Sequence, residues 1–217
     1  PDDIKFKYEK PELAGQRGYT SFGREHAKGS KVADLKEFFQ FGQMVTDEDP
    51  IRKEYPDNVW VSELPGFNEV NINAYRSFEI AGGHLMRAIA VYLDLPENYF
   101  EKKIHNGNSI LRAIHYPPIS GDPKSALRAE QHEDINLITL LVGASAEGLE
   151  IFTRKEQWVP VTAMPGQIVV NVGDMLQRLT NDRLKSTTHR VVNPPKELWN
   201  TSRYSIPFFL HPRAEMR

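Results

Sequence analysis

Cysteine is absent from the 217 residues, and with it go disulfides, thiolate nucleophiles and every cysteine-based zinc or iron–sulfur site. A surplus of one charge is missing too. The 27 basic and 29 acidic residues leave a formal net charge of -2, which gives no basic footprint for nucleic acid and no polybasic patch for a membrane surface. No apolar run reaches the roughly 18 residues that a membrane-spanning helix needs, and the N-terminus carries no signal-peptide core. A Gly-x-x-x-x-Gly-Lys phosphate loop is also lacking, which argues against nucleotide chemistry. The expectation is a cytoplasmic monomer with a small-molecule ligand and no nucleic-acid or membrane partner. The chain opens on Pro1 rather than methionine, as a processed or partial sequence would.

What is present divides near residue 109. Residues 1–70 are rich in charge, Gly and Pro, with a predicted helix at 32–41, where Leu35, Phe38 and Phe39 share a face. The segment 47–66 holds Pro50, Pro56 and Pro65 and reads as a loop presenting Trp60, either as a packing residue or as a lid aromatic. Ile80, Leu85, Ile89, Val91 and Leu93 predict a long helix over 71–95 despite Gly82-Gly83 in its middle; Pro96 stops it, and a short helix follows at 97–105. Beyond that come β-prone runs at 110–116, 135–142, 149–153, 158–162, 167–172, 185–192 and 202–210, separated by Pro and Gly turn signals. The pattern predicts a mainly β fold with α, a sandwich, barrel or jelly roll. We read an N-terminal helical and loop region, 1–108, packed around a β domain, 109–217, as one functional unit.

The chemistry-bearing residues lie in that β half. His132 and Asp134 form the one His-x-Asp of the sequence. If they open the 135–142 strand, side chains at i and i+2 share a face and their donor atoms can converge. His189, in a separate β-prone run, offers a third donor. Two histidines and one carboxylate leave open coordination positions, the arrangement expected of non-haem Fe(II) oxygenases. Downstream, Arg203 and Ser205 fall on one face of the last run. Asn171, inside an apolar run, needs a buried partner and is either a ligand-orienting residue or a structural one. His26, His84, His105, His115 and His211 lack ligand-like company and read as packing or surface residues.

Several stretches together resemble the isopenicillin N synthase-like family of 2-oxoglutarate- and Fe(II)-dependent oxygenases. They are Leu111-Arg112 with Tyr116-Pro117-Pro118; His132-Glu133-Asp134-Ile135-Asn136 and the apolar run after it; Asn171-Val172-Gly173-Asp174; Thr188-His189-Arg190-Val191; and Arg203-Tyr204-Ser205. Gly18-Tyr19 and the region 34–42 are similar to the family's N-terminal part. The resemblance implies a double-stranded β-helix (jelly roll) core with N-terminal helices packed around it. It also implies Fe(II) held by His132, Asp134 and His189, with 2-oxoglutarate and O2 as cosubstrates and ascorbate as an accessory reductant. The distal carboxylate of 2-oxoglutarate would meet Arg203, Ser205 and Tyr116. The reaction would oxidise, typically hydroxylate, a small organic molecule with release of succinate and CO2.

Two departures from the family stand out. Ile114 occupies a position where many members carry asparagine, and Glu133 stands between the first two ligands, where alternation should turn it away from the metal. The pocket is expected around Arg112, Leu127 and Phe208. An Fe(II) oxidase that does without 2-oxoglutarate, with Arg203 gripping the substrate's own carboxylate, is the nearest alternative. A zinc hydrolase lacks its His-Glu-x-x-His helix here, and a non-catalytic jelly-roll module would have no need of an intact ligand set.

Overall fold

The computed structural model describes residues 1–27 and 30–216. A short helix α1 (Asp2–Lys5) precedes strands β1 (Gly18–Thr20) and β2 (Glu37–Gly42); helices α2 (Phe67–Tyr92) and α3 (Glu101–Ile104) follow. The remaining strands are β3 (Ile110–Tyr116), β4 (Ala129–His132), β5 (Ile138–Val142), β6 (Leu149–Phe152), β7 (Trp158–Pro160), β8 (Ile168–Val172), β9 (His189–Val191) and β10 (Arg203–Leu210), with helix α4 (Asp174–Leu179) between β8 and β9. They form two antiparallel sheets, a major one of six strands in the order β1-β2-β3-β10-β5-β8 and a minor one of four in the order β4-β9-β6-β7. The fold is a jelly roll, mainly β with few helices. Among the described residues no helix is long and apolar enough to cross a membrane.

Strand periodicity sorts side chains between two compartments. On β10, Arg203, Ser205, Pro207 and Phe209 face a cavity between the sheets, whereas Phe208 and Leu210 join the core beneath α2. On β5, Thr139 and Leu141 face the cavity while Ile138 and Leu140 enter that core. Helix α2 closes the core by burying Tyr75, Phe78, Gly82, Met86 and Ala90, spaced three and four apart along one face. Gly82 lets the helix sit close here: a Cβ there would lie 3.3 Å from Leu210 Cδ2, a tight contact. Phe208 sits between two α2 rings, 5.1 Å from Tyr75 and 5.6 Å from Phe78. It therefore belongs to the core rather than to the expected pocket lining, and its neighbours Pro207 and Phe209 take that place.

Of the helix predicted at 32–41, residues 32–36 are in neither helix nor strand, and 37–41 lie instead in strand β2, paired with β1 on one side and β3 on the other. Its residues Glu-Phe-Phe-Gln-Phe-Gly are buried almost throughout. A strand covered on both faces shows no clean alternation, and its aromatics meet helical spacing by coincidence. The N-terminal part thus contributes two strands to the major sheet as well as helices. The long helix begins four residues before its predicted start, and Trp60 packs near Phe41, with ring centroids 6.4 Å apart.

Candidate metal and cosubstrate site

His132 and Asp134 do not share a strand. His132 ends β4 on the minor sheet, and Asp134 lies in the connection that crosses to β5, which starts only at Ile138. A register irregularity between Ala129 and His132 lets these residues, three apart, both face the cavity. His132 then pairs directly with His189 of β9, and the two rings stand 4.4 Å apart. Asp134 is brought up from the major-sheet side. Its backbone carbonyl accepts from the Asp174 amide at the start of α4, at 2.7 Å, and the Met175 amide bonds Ile135 O at 3.0 Å. One donor atom from each of His132, Asp134 and His189 lies within 4.8 Å of the other two.

Hydrogen bonding decides which atoms are free. His132 Nδ1 lies 2.7 Å from Glu130 O, and His189 Nδ1 lies 2.9 Å from Thr187 O. A carbonyl oxygen only accepts, so each Nδ1 carries the proton and each Nε2 keeps a lone pair. Those Nε2 atoms stand 4.0 and 3.9 Å from Asp134 Oδ1, too far for a hydrogen bond and spaced for an ion between them. The other carboxylate oxygen, Oδ2, is taken: Thr139 Oγ1 donates to it at 2.6 Å and Asn171 Nδ2 at 2.9 Å. Asn136 Nδ2 in turn donates to Thr139 Oγ1 at 3.0 Å, which leaves the hydroxyl proton aimed at Asp134. Burial would push the Asp134 carboxyl up, but the His189 ring and the Thr139 and Asn171 donors outweigh it and hold it below its ordinary value. Burial, reinforced by His189, lowers His132, favouring the neutral imidazole that a metal requires. This oxygen and nitrogen donor set fits a divalent transition metal such as Fe(II).

The same cavity, about 90 Å³, extends from these donors to Arg203 and is walled by Leu141, Leu149, Ile151, Val169 and Val191. Arg203 is fully buried. Its Nε donates to Ala146 O at 3.1 Å, its guanidinium lies 4.9 Å from the centre of the Tyr116 ring, and Nη1 has no partner among the described residues. Ser205 and Tyr116 are buried beside it on the same cavity. Burial lowers the Arg203 guanidinium from its ordinary value, against the effect of Tyr116, yet arginine remains charged in proteins. A buried cation with a free donor calls for an anion. A wider recess of about 700 Å³ adjoins this cavity and shares Lys36, Arg112, His132 and Asp134 with its lining.

All six residues singled out from the sequence therefore line one cavity. Asn171 finds its buried partner in Asp134 Oδ2. Glu133 is exposed and accepts from Thr188 Oγ1, away from the donor cluster, and Ile114 is a buried wall of the cavity. Among the other histidines, His115 is held by Glu37 and Ser202, and His26 and His211 border the outer recess. Sequence reasoning missed Thr139 and Lys36. The signal for Thr139 was a lone hydroxyl at an inward position of an apolar run; for Lys36 there was none.

A jelly roll with two histidines, a carboxylate and an unpaired arginine on one cavity defines a class of metal-dependent oxygenase folds. Comparison with known proteins makes the assignment specific. Residues 107–212 match the model of the 2OG-Fe(II) oxygenase superfamily, and residues 1–63 match that of the non-haem dioxygenase in morphine synthesis N-terminal region. The 2-oxoglutarate-dependent dioxygenase htyE of Aspergillus rugulosus is 34% identical, over 100% of this chain and 70% of its own length. The proline hydroxylase buaE of Petromyces alliaceus is 36% identical, over 95% of this chain and 66% of its own. Among solved structures, a 2OG-Fe(II) oxygenase family protein from Caulobacter crescentus superposes with a TM-score of 0.88 at 46% identity, covering 99% of this chain and 69% of that one. A full-length Neurospora crassa protein, crystallised in complex with alpha-KG, gives 0.82 at 34% identity, covering 98% and 67%. The chain belongs to the 2OG-Fe(II) oxygenase superfamily and spans about two thirds of the length of these relatives. Three of the four are named for 2-oxoglutarate or were crystallised with it, which favours that cosubstrate over the oxidase alternative.

Proposed function

We propose that this chain is the catalytic part of an Fe(II)- and 2-oxoglutarate-dependent dioxygenase that hydroxylates a small organic molecule, releasing succinate and CO2. The observation that carries the reading is one cavity with two free Nε2 atoms and a free carboxylate oxygen at one end and, at the other, a buried guanidinium whose Nη1 has no partner among the described residues. Bound Fe(II), with O2 and 2-oxoglutarate, supplies the oxidation of an otherwise unreactive C–H bond. His132 and His189 hold the metal through Nε2 and Asp134 through Oδ1. Thr139 and Asn171 keep that carboxylate from rotating. Arg203 meets the distal carboxylate of 2-oxoglutarate with Nη1, helped by the Ser205 and Tyr116 hydroxyls. The apolar walls keep water away from the reacting end.

The substrate enters from the recess beside Lys36 and Arg112. Residues 1–108 and 109–217 act as one unit, as a cytoplasmic monomer without nucleic-acid or membrane partners, and ascorbate serves as an accessory reductant. Anaerobic titration with Fe(II) and 2-oxoglutarate tests the reading through the metal-to-ligand charge-transfer band. Succinate release must then depend on both. Turnover without 2-oxoglutarate would instead establish the oxidase alternative.

A further inference from the structure

Arg128 is a second buried guanidinium at the Arg203 end of the barrel. It is 1% exposed, its Nη2 donates to Thr201 O at 2.9 Å, and its Nε has no partner. Thr201 lies two residues before Arg203, the start of β10, and Ala129, next to Arg128 in the chain, packs in one cluster with Tyr116. Buried Lys36 has two carboxylates, Glu25 at 2.7 Å and Asp34 at 2.8 Å. Neither Arg128 nor Arg203 pairs with a carboxylate among the described residues; each donates to a backbone carbonyl and has a further buried nitrogen without a partner there. Burial lowers the Arg128 guanidinium from its ordinary value, and the charge of Arg203 lowers it further. Two neighbouring buried cations without counter-charge destabilise the empty protein, and a negative ligand at this end relieves both.

We propose that Arg128 is a positioning residue of the cosubstrate end, adding its charge behind Arg203 so that the site selects 2-oxo acids bearing a second carboxylate. The inference rests on the cosubstrate reading above. Arg128 does not line the cavity; it acts through the field it sets up around Tyr116 and Arg203. Its removal therefore affects the dicarboxylate and spares a 2-oxo acid of the same chain length that lacks the second carboxylate.

The test is anaerobic calorimetry on Mn(II)-loaded protein with 2-oxoglutarate and with 2-oxopentanoate, together with thermal midpoints of the metal-free protein. R128M is expected to weaken 2-oxoglutarate roughly tenfold, the size of a unit charge acting over about 12 Å through an effective dielectric of about 20. It should leave 2-oxopentanoate within about twofold and should not lower the metal-free midpoint, because an uncompensated charge has gone. R128K should restore 2-oxoglutarate to within about threefold. If R128M does not fold, R128Q, which keeps a donor for the Thr201 carbonyl, carries the same comparison. Unchanged 2-oxoglutarate affinity, or equal loss for both acids, overturns the proposal while wild-type binding stands. Wild-type protein that binds no 2-oxoglutarate, or R203M that binds it as well as wild type, overturns the cosubstrate reading and this inference with it.

Discussion

Thr139 illustrates how little of a metal site is spelled out by its ligands. Its hydroxyl occupies one oxygen of Asp134 and so presents the other toward the histidines. Thr139→Val keeps the shape and removes the donor. Metal affinity, read by Fe(II) or Mn(II) titration, is expected to fall about 10- to 100-fold, and Thr139→Ser should retain most of it. His189→Ala should abolish metal binding and turnover while circular dichroism shows the fold retained; an active variant would refute the ligand assignment. At this scale the sequence was most readable where residue type carries the chemistry. His132, Asp134, His189 and Arg203 were visible because imidazoles, a carboxylate and a guanidinium in β-prone runs are unusual. Thr139 was not, because threonine suits a strand for reasons unrelated to metals.

Among the elements, the connection between β4 and β5 was the least legible. The reading of 135–142 as a strand opened by His-x-Asp was half right: residues 138–142 form β5, while Asp134 and Asn136 sit in a crossover pinned by the first turn of α4. Backbone bonds to a distant helix leave no trace in local periodicity. Gly173 marks the close approach, since a Cβ there would meet Asn136 O at 2.2 Å and Oδ1 at 2.7 Å. Gly173→Ala is therefore expected to destabilise the protein by about 1–3 kcal/mol in urea unfolding and to weaken metal binding as the crossover shifts. Loss of stability without loss of metal affinity would show that the crossover does not position Asp134. The strand β2 was misread for a different reason, burial on both faces; α2 was found from Ile80, Leu85, Ile89, Val91 and Leu93, yet Ile80 and Val91 are exposed and the buried face is Tyr75, Phe78, Gly82, Met86 and Ala90, so the helix was legible and its buried face was not.

For the molecule as a whole, the N-terminal segment is tied to the barrel by charge as well as by strands. Glu25 bonds Lys36 at 2.7 Å and Arg112 at 3.1 Å, and Arg112 also reaches Gln40 at 2.7 Å. Burial would push the Glu25 carboxyl up, but Arg112 and Lys36 pull it down to about 2. A carboxylate whose folded value is depressed stabilises fully above its unfolded value of about 4.3 and loses that contribution as pH falls toward 2. Glu25→Gln should thus cost about 2 kcal/mol at pH 7, allowing for partial exposure, and the difference from wild type should close by about pH 2. Equal losses at pH 7 and pH 2 would mean that packing, not charge, carries the effect. Nothing in composition announced this network, because its partners are 11 and 87 residues apart along the chain and surface charges look the same as buried ones in a sequence.

The pairing of His132 with His189 also has a bearing on the order of events as the chain is made. The first two donors leave the ribosome more than fifty residues before the third, and β4 has no neighbour in its own sheet until β9 exists. On synthesis from the N-terminus at about 5–20 residues per second, that interval lasts several seconds. During it His132 and Asp134 can offer a passing ion only a weak two-point hold. The three donors come within reach of one another only once β9 has paired with β4.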